Sequence, residues 1–133
     1  MFWIHGGSNI WGTGNSYDFS KLAESQKVVV ITINYRLGPM GWFSSSHLRN
    51  TAEGDDRSSN FGHLDIIAAL EWVQENGNSF GGDPTNVTIF GESAGGHNVL
   101  VLLATKKARG LFHKAISQSG YVSSFSEQFA SEE

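Results

Sequence analysis

Residues 89–103 read IFGESAGGHNVLVLL. An apolar pair runs into Gly91-Glu92-Ser93-Ala94-Gly95 and a mostly apolar segment follows, so the stretch reads as a buried strand, a tight turn and a helix in immediate succession. A bare Gly-x-Ser-x-Gly is weak as a pattern. Its weight comes from the strand before it and the helix after it, because a serine on such a bend has its Oγ lifted clear of the sheet. The free N–H groups and positive dipole end at the start of a helix over 94–105 also favour an alkoxide or a developing oxyanion beside Ser93. The alternative is a serine that only caps the helix.

The surrounding pattern is consistent with that turn. Phe2-Trp3-Ile4 reads as a strand entering His5-Gly6-Gly7, and a loop rich in Gly, Ser and Asn continues to Ser16. Ser20 is the expected cap of a short helix over KLAESQ. VVVITI at 28–33 is a β-branched run without alternation, which predicts a strand covered on both faces. Residues 44–61 read as a polar loop, and 62–80 as a helix with apolar residues three and four apart, closed by Gly81-Gly82-Asp83-Pro84. VTIF at 87–90 is a strand, and another is expected around 115–117. Gly96 and Asn98 are weak points of the 95–105 helix, and the tail from Tyr121 shows no clear period.

Strands and helices in this alternation predict an α/β fold with a mostly parallel sheet, whose chemistry lies at the carboxyl ends of the strands. Both glycine-rich turns fall at such ends. The His5-Gly6-Gly7 loop therefore supplies one half of an oxyanion hole and the N–H after the serine the other, which assigns Gly7, Ser8 and Ala94 as donors to an anion formed at Ser93.

Bulk properties exclude other classes. The 133 residues are 39% hydrophobic and 17% charged, a globular composition of about one domain. Net charge is −4 and the nine Lys and Arg are scattered, so no basic stripe tracks nucleic acid. With no cysteine there is neither disulfide nor thiolate chemistry. The longest apolar runs have six residues, far short of the ~20 that span a bilayer. MFWIHGG is not a signal peptide; it reads like the end of a strand entering a turn, which suggests a chain that begins inside something larger.

WIHGGSNIWGTG, VVVITINYRLGPMGWF, FGGDPTNVTIFGESAGGHNVLVLL and GLFHKAISQSG together resemble successive blocks of the carboxylesterase type B family, which includes the cholinesterases and bacterial broad-range esterases. The likeness covers residues 2–121. It implies an α/β-hydrolase fold and hydrolysis of small-molecule carboxylic esters through an acyl-serine intermediate, with no metal or organic cofactor. Ser93 matches the family nucleophile, and Gly7, Ser8 and Ala94 its oxyanion donors. A Gly or Ala is usual where Ser8 stands, which leaves a backbone donor in place. Glu92 matches a structural glutamate, expected here to be charge-paired below the bend, and Arg36 and Asp65 match a structural ion pair. His63 and Ile66 depart from the Leu and Gln common beside that aspartate.

The same resemblance puts the triad acid and histidine well downstream of the serine, whereas forty residues follow Ser93. The chain is thus expected to be the amino-proximal half of a catalytic domain, truncated at both ends, inactive alone and poorly soluble through an unpaired sheet edge. His97, one turn after Ser93, is the nearest substitute base, although a base normally approaches from a separate loop. His5 is expected to steady the oxyanion loop, and His47, His63 and His113 to be plain polar or partly buried residues. Trp11, Trp42 and Phe43 are candidates to line a pocket, with ordinary packing the alternative. The competing readings are a non-catalytic cholinesterase-like adhesion or binding module and an inactive remnant.

Overall fold

A computed structural model of the chain describes residues 1–122. Four parallel strands, β1 (Phe2–Ile4), β2 (Ile31–Thr32), β3 (Thr88–Glu92) and β4 (Lys114–Gln118), form a sheet of order β2-β1-β3-β4. Phe2 pairs with Ile31 on one side and Ile89 on the other, and Gly91 with Ser117, so β1 and β3 occupy the centre. Four helices connect and cover them: α1 (Ser20–Gln26), α2 (Ser46–Thr51), α3 (Phe61–Asn76) and α4 (Ala94–Ala104).

Strand alternation decides which side chains meet which layer. Phe2, Ile4 and Ile89 point to the face covered by α3 and α4, where they form one core with Ile66, Ile67, Leu70, Val73, Val99 and Leu102. Trp3 and Phe90, neighbours in register, point to the opposite face. There Trp3 meets Tyr17, Phe19 and Phe90 with ring centroids 4.8, 5.1 and 4.9 Å apart, tilted or edge-on as aromatic quadrupoles prefer. Among the described residues no helix is long and apolar enough to cross a membrane.

Several expectations need correction. Only Ile31 and Thr32 of the 28–33 run enter the ladder, and these residues are half-buried or exposed rather than covered on both faces, because β2 is the outermost strand on its side. Ser20 is the first residue of α1 and not its cap; Asp18 Oδ1 accepts from the Ser20 amide at 2.9 Å and from its hydroxyl. The polar 44–61 stretch contains α2, capped by Ser45 Oγ accepting from Leu48 N at 3.1 Å, and a 3₁₀ turn over Gly54–Ser58. The 62–80 helix ends at Asn76, with a 3₁₀ turn over Gly77–Phe80. Residues 123–133 of the aperiodic tail lie outside the described residues.

The ion pair implied by the resemblance is present. Arg36 Nη2 and Nε donate to Asp65 Oδ1 and Oδ2 at 2.7 and 2.8 Å, and the Arg36 amide adds a third bond to Oδ2 at 2.9 Å. It ties the segment after β2 to the start of α3. The guanidinium holds the Asp65 carboxyl below the usual carboxylate range. A folded-state pKa below the unfolded value gives stability that is full above the unfolded pKa, near about 4, and is lost as pH falls through the folded value. Both side chains keep contact with solvent, so Asp65→Asn is expected to cost about 1–2 kcal/mol at pH 7 after screening. The gap between urea melts of the two proteins should begin to narrow below about pH 4 and close once the pH has fallen through the lowered folded-state pKa of Asp65; a gap that does not narrow with falling pH counts against the ion pair as its source.

Candidate active site

Ser93 sits between the last residue of β3 and the first of α4, with φ 56° and ψ −121°. Such a conformation costs a non-glycine residue roughly 1–3 kcal/mol. It is held by main-chain bonds on both sides: the Ser93 amide donates to the Gln118 carbonyl at 2.9 Å, and its own carbonyl accepts from His97 N at 2.9 Å. The Ser93 hydroxyl caps nothing, although the residue occupies the N-cap position. The capping alternative therefore lacks its defining bond, and the side chain is half-buried beside a cavity.

The loop after β1 forms the other wall. Gly7, Ser8 and Asn9 follow one another at φ 105°, 56° and 58°, and the Gly7 carbonyl accepts from the amides of Ile10 and Trp11 at 3.0 and 3.1 Å. Glycine is required at the first of these, since a Cβ there would lie 2.0 Å from the Trp11 carbonyl oxygen. The amides of Gly7 and Ser8 meet no acceptor among the described residues. That of Ala94, the first residue of α4, has no intrahelical acceptor.

A cavity of about 250 Å³ brings Gly6, Gly7, Ser8, Trp11, Glu92 and Ser93 together. Ala94, the next residue after Ser93, is not among the residues that line this cavity and is itself buried. A larger space of about 370 Å³ lies at the amino ends of the strands, near Met1, Val29, Thr88 and Lys114. It is far from both glycine-rich turns, and parallel sheets carry ligands at the carboxyl ends, so the smaller cavity is the candidate site.

The remaining polar residues divide clearly. His5 is buried, its Nδ1 donates to the Gly6 carbonyl at 2.7 Å, and its ring stacks on Tyr35 at 4.5 Å, so it does brace the glycine loop. Among the described residues no hydrogen bond joins His97 to the Ser93 hydroxyl; its Nδ1 donates to the Tyr121 carbonyl at 2.6 Å, with the two rings stacked. Among the described residues no cation pairs with Glu92, which faces the cavity beside Ser93. Trp11 lines the cavity and is 70% exposed. Trp42 instead packs edge-on against Tyr35 and His63, and Phe43 is exposed elsewhere.

Asn98 and the side chains linked to it have a larger part than the sequence suggests. Asn98 is fully buried; its Nδ2 donates to Asn9 Oδ1 at 3.0 Å, and its Oδ1 accepts from His63 Nε2 at 3.1 Å. Trp42 Nε1 donates to His63 Nδ1 at 3.2 Å. Burial holds the His63 pKa below the usual histidine range, and so favours the neutral ring these bonds require. Tyr35 Oη, pushed up to about 12 by burial, donates to the His5 carbonyl at 2.5 Å. No local pattern announces this chain of bonds, which joins residues 35 and 89 positions apart.

Strand order, crossover helices and the two turns at neighbouring strand ends define a protein of the α/β-hydrolase class. A thermophilic PNB esterase superposes with a TM-score of 0.88 at 47% identity, covering 98% of this chain and 26% of that one. The chain belongs to the carboxylesterase family, whose sequence model matches residues 1–130. It is 53% identical over 121 residues to carboxylesterase 1E of Rattus norvegicus and 54% identical over 122 residues to the para-nitrobenzyl esterase of Bacillus subtilis, in each case over 90% of its own length. It spans 20% and 24% of the length of these two relatives.

Proposed function

We propose that residues 1–133 form part of one α/β-hydrolase domain and contribute the nucleophile and the oxyanion-binding donors of a serine carboxylesterase acting on small-molecule carboxylic esters. The observation that carries this reading is the strained backbone of Ser93 at the rim of a cavity it shares with Gly7 and Ser8. Strain of this size is kept where it has a use, and here it aims a hydroxyl that does no structural work.

In this mechanism Ser93 Oγ attacks the ester carbonyl carbon and loses its proton to a general base. The carbonyl oxygen takes up the negative charge, and the amides of Gly7, Ser8 and Ala94 donate to it, aided by the positive end of α4. Collapse of the tetrahedral intermediate breaks the bond to the alkoxy oxygen, which leaves as the alcohol with a proton returned by the base. The Ser93 ester is then hydrolysed by water to the carboxylic acid. One such donor contributes about 3–4 kcal/mol in the transition state.

The base belongs to another part of the full-length protein. Among the described residues no histidine bonds Ser93 Oγ, and the one side-chain hydrogen bond of His97 goes to the Tyr121 carbonyl. The 133-residue chain alone is accordingly expected to be inactive. A fluorophosphonate probe should label the full-length protein on the peptide containing Ser93. Labelling that survives Ser93→Ala, or a folded wild type that hydrolyses an aryl ester without being labelled there, refutes the assignment.

A further inference from the structure

We propose that Asn98 is a positioning residue that fixes the spacing between the two halves of the oxyanion-binding donor set, an inference that rests on the function proposed above. Gly7 and Ser8 come from the loop after β1, and Ala94 from the start of α4. Asn98 lies one turn along α4 from Ala94, and its side chain bonds Asn9, the residue directly after Ser8. A single side-chain bond therefore links the helix that carries one donor to the loop that carries the other two. Asn9 is held on its far side as well, since its carbonyl accepts from Gly38 N at 2.6 Å.

The direction of each bond is determined. An indole N–H only donates, so His63 Nδ1 must accept from Trp42 and the ring proton resides on Nε2. The Asn98 atom facing that proton is then the amide oxygen. Its nitrogen is left to donate to Asn9 Oδ1, with a longer contact to Tyr35 Oη at 3.4 Å. Trp42 and His63 thus lock the orientation of the Asn98 amide, which removes the usual ambiguity of a side-chain amide. A buried asparagine on a helix face shared with Val99 and Leu102 is costly unless its bonds are needed. Its partner, Asn9, is a loop residue with a left-handed backbone.

Steady-state kinetics on full-length variants test the clamp. Asn9→Gly removes the acceptor and keeps the left-handed backbone, and Asn98→Leu removes the donor. Each should lower kcat for an aryl ester by about 10- to 100-fold while KM moves less than about threefold, as expected when only transition-state contacts loosen. Affinity for a trifluoromethyl ketone, whose adduct carries an oxyanion, should fall in proportion to kcat/KM. Asn9→Asp, which retains an acceptor, should recover most of the loss, and the double variant should be no worse than the poorer single one. If Asn98→Leu fails to fold, Asn9→Gly and Asn9→Asp decide the matter. Unchanged kcat in Asn9→Gly, ketone affinity that does not follow kcat/KM, or additive losses overturn the clamp. Probe labelling of wild-type Ser93 separates the two failures: labelled protein with unaffected variants disproves the clamp alone, and an unreactive Ser93 removes the function and the clamp together.

Discussion

If Ser93 is the nucleophile proposed above, replacing it with alanine in the full-length protein is expected to lower turnover of an aryl ester by about 10⁶-fold, the usual cost of losing the nucleophile from a serine triad. The change deletes one oxygen. Both main-chain bonds that hold the turn, to Gln118 and from His97, survive it, and the hydroxyl makes no capping bond that could be lost. Alanine is about as strained as serine at φ 56°, so the melting temperature should stay within about 2 °C of wild type. Ser93→Gly separates strain from chemistry. It should be equally inactive yet more stable by roughly 1 kcal/mol, because glycine adopts this backbone without penalty and offsets only part of that gain through its greater unfolded-state freedom. Calorimetry alongside turnover checks both. Substantial turnover in either variant, or a glycine variant that melts below the alanine one, removes the link between the strained backbone and catalysis.

Much of the fold was legible because its punctuation is local. Glycine-rich turns follow β1 and β3 directly, and the Gly81-Gly82-Asp83-Pro84 stop separates α3 from β3, so residue type alone sets these elements apart, although α3 itself already ends at Asn76. VVVITI misled because β-branching reports strand propensity and not position in the sheet; at the outer strand the same residues are only half covered. α2 escaped because six residues are too short to establish a period and its cap, Ser45, stands between two other serines. At the site, the turn geometry of Gly7, Ser8 and Ser93 was encoded in consecutive residues. The Asn98 amide was not, since its partners are three side chains from separate elements. The same limit applies to Glu92, whose expected partner was a matter of three-dimensional placement. Arg36 and Asp65 were found through family likeness and not through any spacing of their own.

Gly95→Ala should be among the most damaging additions of a single methyl group to this chain. A Cβ at this position would lie 2.0 Å from the Ile4 carbonyl oxygen, 2.8 Å from its carbon and 2.9 Å from the His5 carbonyl carbon. All three are backbone atoms of the central strand or its exit, so no rotamer change relieves the overlap. Restoring ordinary contact requires α4 to move away from β1 by more than about 1 Å, against an interior packed like a crystal. Alanine would favour the helix by about 1 kcal/mol in isolation. Overpacking against fixed backbone exceeds that, and a net loss of about 3 kcal/mol or more is expected. This is a large share of a stability of about 5–15 kcal/mol. Gly96→Ala is the comparison, because its nearest overlap, 2.7 Å with the Gln118 carbonyl oxygen, is milder. Denaturant midpoints should fall in the order wild type, Gly96→Ala, Gly95→Ala. Any Gly95→Ala protein that remains folded should also lose activity beyond its loss of stability, since the shift that accommodates the methyl group carries Ser93 and Ala94 away from Gly7 and Ser8. A Gly95→Ala protein that melts at or above wild type would show that α4 is free to leave β1, and the close approach would then not be what holds the two turns together.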